Sequence, residues 1–202
     1  MSFMSAPLMI EHRADLEQAH LIIATPFPSA TDERRYAADL TASILGGGTA
    51  SRLWQKIREE RGLAYSVGAS AITYQDVGLF SVSAATSPEQ VNEVVQISIE
   101  EMRKVAAQGI TADELDLAKA QARASVLLSL EDSASRSAAL AQSEMVHGRQ
   151  ISVEETLAGI EQVTGEECHS LVDEFFRTEA IAFTALGDLD GESITREDLK
   201  IS

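Results

Sequence analysis

Apolar residues recur at helical spacing along most of the chain after residue 87. Four times, a Ser or Thr stands three positions before a Glu or Gln, which is the spacing of a capping box at the start of a helix. This pattern predicts helices that begin after Ser87, Thr111, Ser152 and Thr164. Gly109 and Gly148 are predicted to end two helices, and Ser133 with Ser135 indicates a break between the long helical runs.

A further helix is predicted near the start of the chain. Thr31 is a favourable N-cap residue, and Asp32 and Glu33 place two acids where the helix dipole favours negative charge. Apolar positions at helical spacing follow, and we expect them to face inward: Tyr36, Leu40 and Ile44. Gly46 is predicted to end this helix.

Strands are predicted where β-branched and aromatic residues are bounded by turn formers. These segments are residues 20–25, 65–74, 77–84 and 180–186, with Gln75 and Asp76 in a hairpin turn. Strands that cluster in a hairpin and are followed by successive helices favour an α+β fold, in which an antiparallel or mixed sheet is layered against a set of helices. Residues 1–13 are expected to be a lead-in segment, and residues 14–202 a single domain.

The charge balance narrows the classes of partner. Thirty-two acidic residues against 16 basic ones give a net charge of −16, which would repel nucleic acid at long range. No segment approaches the roughly 20 apolar residues that span a bilayer, so we expect a soluble chain without membrane contact. The single cysteine, Cys168, excludes an intrachain disulfide and is expected to be a small buried residue.

A metal site is not visible in the sequence. The four histidines are His12, His20, His147 and His169, and no two share a helix at the spacing that brings imidazoles together on zinc. Glu144 and His147 form one Glu-x-x-His pair, but a carboxylate-bridged site needs a second pair. A partly buried helix end is the simpler interpretation of these two residues.

Three consecutive glycines, residues 46–48, precede Thr49 and Ser51. Such a loop can hold an anion, but a phosphate loop follows a strand and contains a lysine, and this segment meets neither condition. A turn between helices, in which glycine tolerates positive φ, explains the same residues. From the residues alone, the chain is therefore an α+β domain of unassigned function.

Residues 45–67, LGGGTASRLWQKIREERGLAYSV, resemble the signature of the second lobe in zinc peptidases of the mitochondrial-processing-peptidase and pitrilysin type. The likeness continues at residues 74–80, 114–119, 129–133, 152–155 and 187–188, and extends over about residues 16–188. In that family, two similar α+β lobes close on each other, and the first carries an inverted His-x-x-Glu-His zinc motif. That motif is absent from this sequence.

The resemblance implies that zinc belongs to a partner lobe, either in the same parent chain or in another subunit. This chain is then expected to bind no cofactor, to be inactive alone, and to bind extended peptide against the zinc-bearing N-terminal lobe of a zinc endopeptidase. A catalytically inactive structural or substrate-presenting subunit of the same family is the alternative. The compartment, cytoplasmic or periplasmic, stays open.

The resemblance also implies a site in this chain. Active members contribute an Arg and a Tyr seven residues apart, which reach the bound peptide, and Arg58 and Tyr65 match that pattern. A guanidinium and a phenol can donate hydrogen bonds to substrate carbonyls and to a developing oxyanion. Without the resemblance, Arg58 would be interpreted as a helix-end cation and Tyr65 as a half-buried strand residue.

Overall fold

The structure is a computed structural model and describes residues 6–190 and 194–201. Within these residues, five strands form one sheet in the order β1-β5-β2-β4-β3. The strands are β1 (Leu8–His12), β2 (Ala19–Phe27), β3 (Ala64–Thr73), β4 (Gly78–Thr86) and β5 (Ala182–Gly187). β1 is parallel to β5 and every other pairing is antiparallel, so the sheet is mixed and β3 is an edge strand.

Helices connect and cover the strands. They are α1 (Arg35–Gly46), α2 (Val91–Gln108), α3 (Ala112–Ser129), α4 (Ser133–His147), α5 (Val153–Gln162) and α6 (Gly165–Phe175). The α+β class predicted from the sequence is confirmed. No helix in the described residues combines the length and apolar character that a membrane span requires.

The core lies between the helices and one face of the sheet. Alternate residues of the central strands point into it, and the largest of them are fully buried: Leu21, Ile23, Phe80 and Phe183. The residues between them form an outer face that none of the described helices covers, where Ile22 lies beside Ser83 and Thr184 and is 48% exposed. The period of two along each strand thus separates a covered face from an open one.

The N-terminal residues differ from the prediction. Leu8–His12 lies inside the range expected to be a lead-in segment, but it forms an edge strand whose Leu8 pairs with Phe183 of β5. The segment has no strong strand signal of its own, and its partner is more than 170 residues away in the chain. Pairing across such a distance is decided by the fold and not by local sequence.

Most helix starts follow the capping pattern. Thr111 and Glu114 form the complete reciprocal box of α3, and the hydroxyls of Ser152 and Thr164 accept from the backbone N–H groups three residues later. Ser87 instead precedes a single 3₁₀ turn, Pro88–Gln90, that leads into α2. The break before α4 is confirmed, and Asp132 caps that helix.

The predicted start of α1 is wrong. This helix begins at Arg35, and neither Thr31 nor another side chain caps it. The Thr31 hydroxyl donates to the carbonyl oxygen of Gln75 in the β3–β4 hairpin, 2.9 Å away, and Asp32 accepts hydrogen bonds from Arg34. A contact with a distant hairpin therefore takes the side chain that local sequence assigns to capping.

Candidate functional site

Arg58 lies in a short helix that leads to the edge strand. Its residues Trp54–Glu59 are π-helical, and the N–H of Glu60 donates to the carbonyl of Gln55, five residues back. Leu53 and Ile57 are fully buried and fix the helix to the core. π-helical turns are rare and are frequently found at functional sites.

Gly62 ends this helix, as predicted. Its φ of 63° is favourable only for glycine, and its N–H donates to the carbonyl of Arg58 at 3.1 Å. The N–H of Leu63 donates to Ile57, and the Leu63 carbonyl accepts from the buried hydroxyl of Thr86. The turn is therefore tied to both the helix and β4, which defines where β3 begins.

Tyr65 is the second residue of β3 and lies at an irregularity in its pairing. Ala64 pairs with Thr86, and Ser66 pairs with the neighbouring Ala85 of β4. Tyr65 therefore has no partner across the ladder. A bulge of this kind redirects a side chain. Tyr65 is 68% exposed and Ser66 is exposed beside it, although Ala64 and Val67, which flank the two, are buried.

Arg58 and Tyr65 are adjacent in space. The Arg58 Nη1 donates to the backbone carbonyl of Tyr65 at 2.5 Å, and both side chains are exposed at the start of the edge strand. Tyr65 also lines an open depression of about 300 Å³, together with Gly62, Leu63, Ala64, Ser87 and Gln90. The structure thus places the two residues proposed from the resemblance at one exposed position.

Trp54 and Glu59 complete the surroundings of Arg58, and sequence reasoning missed both. The Arg58 guanidinium lies over the Trp54 ring, 4.4 Å from its centre, and the indole N–H donates to the Glu59 carboxylate at 3.0 Å. The spacing was an available signal for Trp54, because residues four apart on a helix are neighbours, but Glu59 lies five residues from Trp54 and has no such signal.

An ion pair anchors this helix to α3. Arg52 Nε and Nη2 donate to the two carboxylate oxygens of Glu114 at 2.6 and 2.8 Å, and Nη2 also reaches the Gly109 carbonyl. Glu114 is at the same time the second member of the α3 capping box. The hydrogen bonds from Arg52 and Thr111 lower the pKa of Glu114 to about 2.

The glycines at 46–48 have a different role from the one predicted. None of them has a positive φ. A Cβ on Gly46 would lie 2.1 Å from the backbone N of Ala69, whereas a Cβ on Gly48 would meet nothing within 4 Å. Gly46 is therefore required because the end of α1 approaches the backbone of β3 too closely for a side chain.

The histidines lie apart from this site. His20 is on the open sheet face, and His12 lies 3.4 Å from Asp188 at the end of β5. Nδ1 of His169 is buried and has no hydrogen-bond partner in the described part of the chain. Glu144 accepts from Gln150 at 3.0 Å. Residues 6–190 and 194–201 contain no group of three or more His, Cys, Asp or Glu that could hold a metal, so they do not fit a zinc site.

A groove of about 320 Å³ lies between α1 and α4 and contains Asp39. Within the described residues, the Asp39 carboxylate forms no hydrogen bond or ion pair. Asp39 is a solvent-exposed residue, and its carboxylate is partly desolvated by the walls of the groove. This desolvation, opposed by the charge of Arg35, raises the pKa of Asp39 to about 6. On the other side of the groove, burial lowers the pKa of His147.

Comparison with known protein families gives one matching model. Residues 6–122 match the model described as the peptidase M16 inactive domain. The chain is 42% identical over 155 residues to an uncharacterized zinc protease of Streptomyces coelicolor, and 41% identical over 157 residues to one of Mycobacterium tuberculosis. These alignments cover 77% and 78% of this chain but only 34% and 36% of the relatives. The chain therefore spans about a third of their length.

Solved structures share the fold. A peptidase M16 inactive domain from Pseudomonas fluorescens aligns with a TM-score of 0.79 and 22% identity, over 91% of this chain and 44% of that one. A chain of complex III2 from Candida albicans aligns with a TM-score of 0.84 and 17% identity, over 96% of this chain and 49% of that one. At these identities, the likeness concerns the fold alone.

Proposed function

Because this chain belongs to the family of peptidase M16 inactive domains, we propose that it is the metal-free lobe of a zinc endopeptidase. In this proposal, it binds an extended peptide against a separate zinc-bearing lobe and supplies hydrogen-bond donors from Arg58 and Tyr65. The zinc belongs to the other lobe. The relatives named as zinc proteases are about three times as long as the segment they share with this chain, which leaves room for such a lobe.

The observation that carries the proposal is the contact between Arg58 and Tyr65. A helix anchored by the buried Leu53 and Ile57, and the Gly62 turn after it, bring Arg58 to the start of β3, where a bulge directs Tyr65 into solvent. Arginine has five N–H donors, and the bond to the Tyr65 carbonyl uses one of them. The remaining donors and the phenol can bind carbonyl oxygens of an extended peptide and the oxyanion that forms when one of them is attacked.

The surrounding charge agrees with a peptide partner and not with nucleic acid. Lys56 and Arg61 near the site are each paired with a glutamate, at 2.8 and 2.7 Å, so they add little free positive charge. With a net charge of −16, the chain lacks the basic surface that phosphate backbones require. A single donor group such as Arg58 can instead bind the neutral carbonyl oxygens of a peptide backbone.

The test is peptide cleavage by this chain combined with its zinc-bearing lobe. We expect Arg58→Ala to lower kcat about 100-fold or more, as loss of an oxyanion donor does, and Tyr65→Phe to lower it less. Arg61→Ala and Tyr74→Phe are matched controls, because Arg61 is exposed near the site, Tyr74 is exposed at the far end of β3, and both lie outside the proposed site. Full activity in both site variants would contradict the donor role and favour the alternative, a structural or substrate-presenting subunit.

A further inference from the structure

Trp54 is the only tryptophan of the chain, and its side chain is only partly buried. Its two contacts are specific. The ring face lies against the Arg58 guanidinium at 4.4 Å, and the indole N–H donates to Glu59 at 3.0 Å. One neighbour therefore fixes the edge of the indole while the other occupies its face.

The π turn accounts for this arrangement. Arg58 and Glu59 follow Trp54 by four and five residues, and the widened turn of Trp54–Glu59 lets both side chains reach the indole. The Glu59 carboxylate therefore accepts a hydrogen bond from the indole N–H, and the Glu60 carboxylate accepts one from Lys56 Nζ at 2.8 Å. Although two glutamates follow it directly in sequence, Arg58 forms no ion pair within the described residues.

The contact with Trp54 leaves most donors of Arg58 available. Within the described residues, the guanidinium forms one side-chain hydrogen bond, from Nη1 to the Tyr65 carbonyl, and its position over the Trp54 ring leaves its other N–H groups without a hydrogen-bond partner. The stack also restricts the long arginine side chain, which lowers the entropy lost when a ligand binds. The bond from Nη1 to the Tyr65 carbonyl fixes the remaining rotation.

We propose that Trp54 is a positioning residue, which holds the Arg58 guanidinium beside Tyr65 so that its free N–H groups can bind the oxygen atoms of a bound peptide. The contact between Trp54 and Arg58 lies within this chain and does not require the zinc-bearing lobe. Only the effect on catalysis rests on the proposed function. The two parts can therefore be tested separately.

The contact is tested by nuclear magnetic resonance on the chain by itself, where the single indole gives a single Nε1–H signal. We expect Arg58→Ala to shift this signal through loss of the guanidinium above the ring, and Glu59→Gln to shift it through loss of the charged acceptor. Arg61→Ala is the control and should leave it in place. An unshifted signal in Arg58→Ala would overturn the proposal.

The effect on catalysis is tested by a double-mutant cycle in peptide cleavage with the zinc-bearing lobe present. We expect Trp54→Leu to lower kcat roughly fivefold, the size of an exposed cation–π contact, with little change in KM. Trp54→Phe keeps an aromatic face and should recover most of this loss. In the Arg58→Ala background, Trp54→Leu should have almost no further effect, because Trp54 acts through Arg58.

Losses that add in full in the double variant would overturn the positioning role, as would equal losses in Trp54→Phe and Trp54→Leu. Thermal unfolding of each variant separates these outcomes from simple misfolding. If Arg58→Ala itself cleaves normally, the proposed donor role has failed, and the indole signal alone then decides whether Trp54 holds Arg58.

Discussion

The two ends of α3 belong to different parts of the molecule. Its first half lies in an anchored corner, which we define as the end of α1, residues 52–65 and the start of α3. There Leu115 and Ala118 are buried and Glu114 binds Arg52. Its last turns and α4 form an open region, residues 126–147, where Leu128 is 70% and Met145 is 79% exposed.

The difference shows what fixes a side chain in each region. In the anchored corner, the backbone of Gly46 lies against that of Ala69, and Arg52 pairs with Glu114. The addition or loss of a few atoms is therefore expected to disturb the packing there. In the open region α4 has no buried residue, and its apolar side chains face solvent. A large contiguous patch of exposed apolar surface usually marks a place where another molecule binds. Sensitivity to substitution should therefore be high in the corner and low around α4.

The largest effect is expected at Gly46. We predict that Gly46→Ala destabilises the fold by about 3 kcal/mol, because its Cβ would overlap the backbone of Ala69, which has no flexible atoms to move aside. Gly48→Ala, two residues later, adds a methyl group in open space and should cost less than about 0.5 kcal/mol. Urea unfolding measures both. Equal stability of the two variants would show that α1 is not in contact with β3.

A smaller effect is expected from the ion pair between Arg52 and Glu114. Because folding depresses the pKa of Glu114 to about 2, its contribution is present above its ordinary pKa of 4.5 and is lost as the pH falls toward 2. The Glu114 side chain is 29% exposed, so screening reduces the contribution to about 1–2 kcal/mol.

We therefore expect Glu114→Gln to be less stable than the natural sequence at pH 7 by that amount, and the difference to disappear near pH 2. Unfolding by urea between pH 7 and pH 2 measures it. Glu93→Gln is the control, since it removes an exposed ion pair with Arg61 and should cost less than about 0.5 kcal/mol. A difference that does not change with pH would mean that Glu114 acts through packing alone.

In the open region we predict almost no effect on stability. Leu128→Glu and Met145→Glu should each change the free energy of unfolding by less than about 0.5 kcal/mol, because both side chains are already mostly in water. If Leu128 and Met145 lie in a surface that binds a partner, the chain without that partner should self-associate through them. The variant that carries both Leu128→Glu and Met145→Glu should not self-associate. Sedimentation velocity compares the two, with Ala138→Glu on α4 as a control.

An equally small effect, visible only through its dependence on pH, is expected at Asp39 in the groove beneath α4. Folding raises its pKa to about 6, so the ionised form is disfavoured and stability is lost as the pH rises from about 4 to above 6. Asp39→Asn should then be slightly more stable at pH 8, by no more than about 0.5 kcal/mol because the group is accessible to solvent, and equal at pH 3.5. Thermal unfolding at the two pH values measures this. A destabilised variant would indicate an attractive partner for the carboxylate.

Local signals were sufficient for much of the fold. The capping box of Thr111 and Glu114 predicts the start of α3 correctly, because both partners lie within one helical turn. The hairpin of β3 and β4 is equally local, since a short turn joins strands with clear β propensity. The site residues Arg58 and Tyr65 came from a motif of 23 consecutive residues, and their roles in a reaction remain a prediction.

The sequence by itself determined the α+β class, the ends of most helices and the segment that contains the candidate site, because these depend on residues close together in the chain. Only the tertiary structure decided the pairing of β1 with β5, the use of Thr31 at the β3–β4 hairpin, the close approach that requires Gly46, and the stack of Trp54 on Arg58. The first three join residues at least 23 positions apart. The fourth joins residues four apart, whose spacing permits a contact, but the π turn that sets the geometry around Trp54 is not specified by a local preference of these residues.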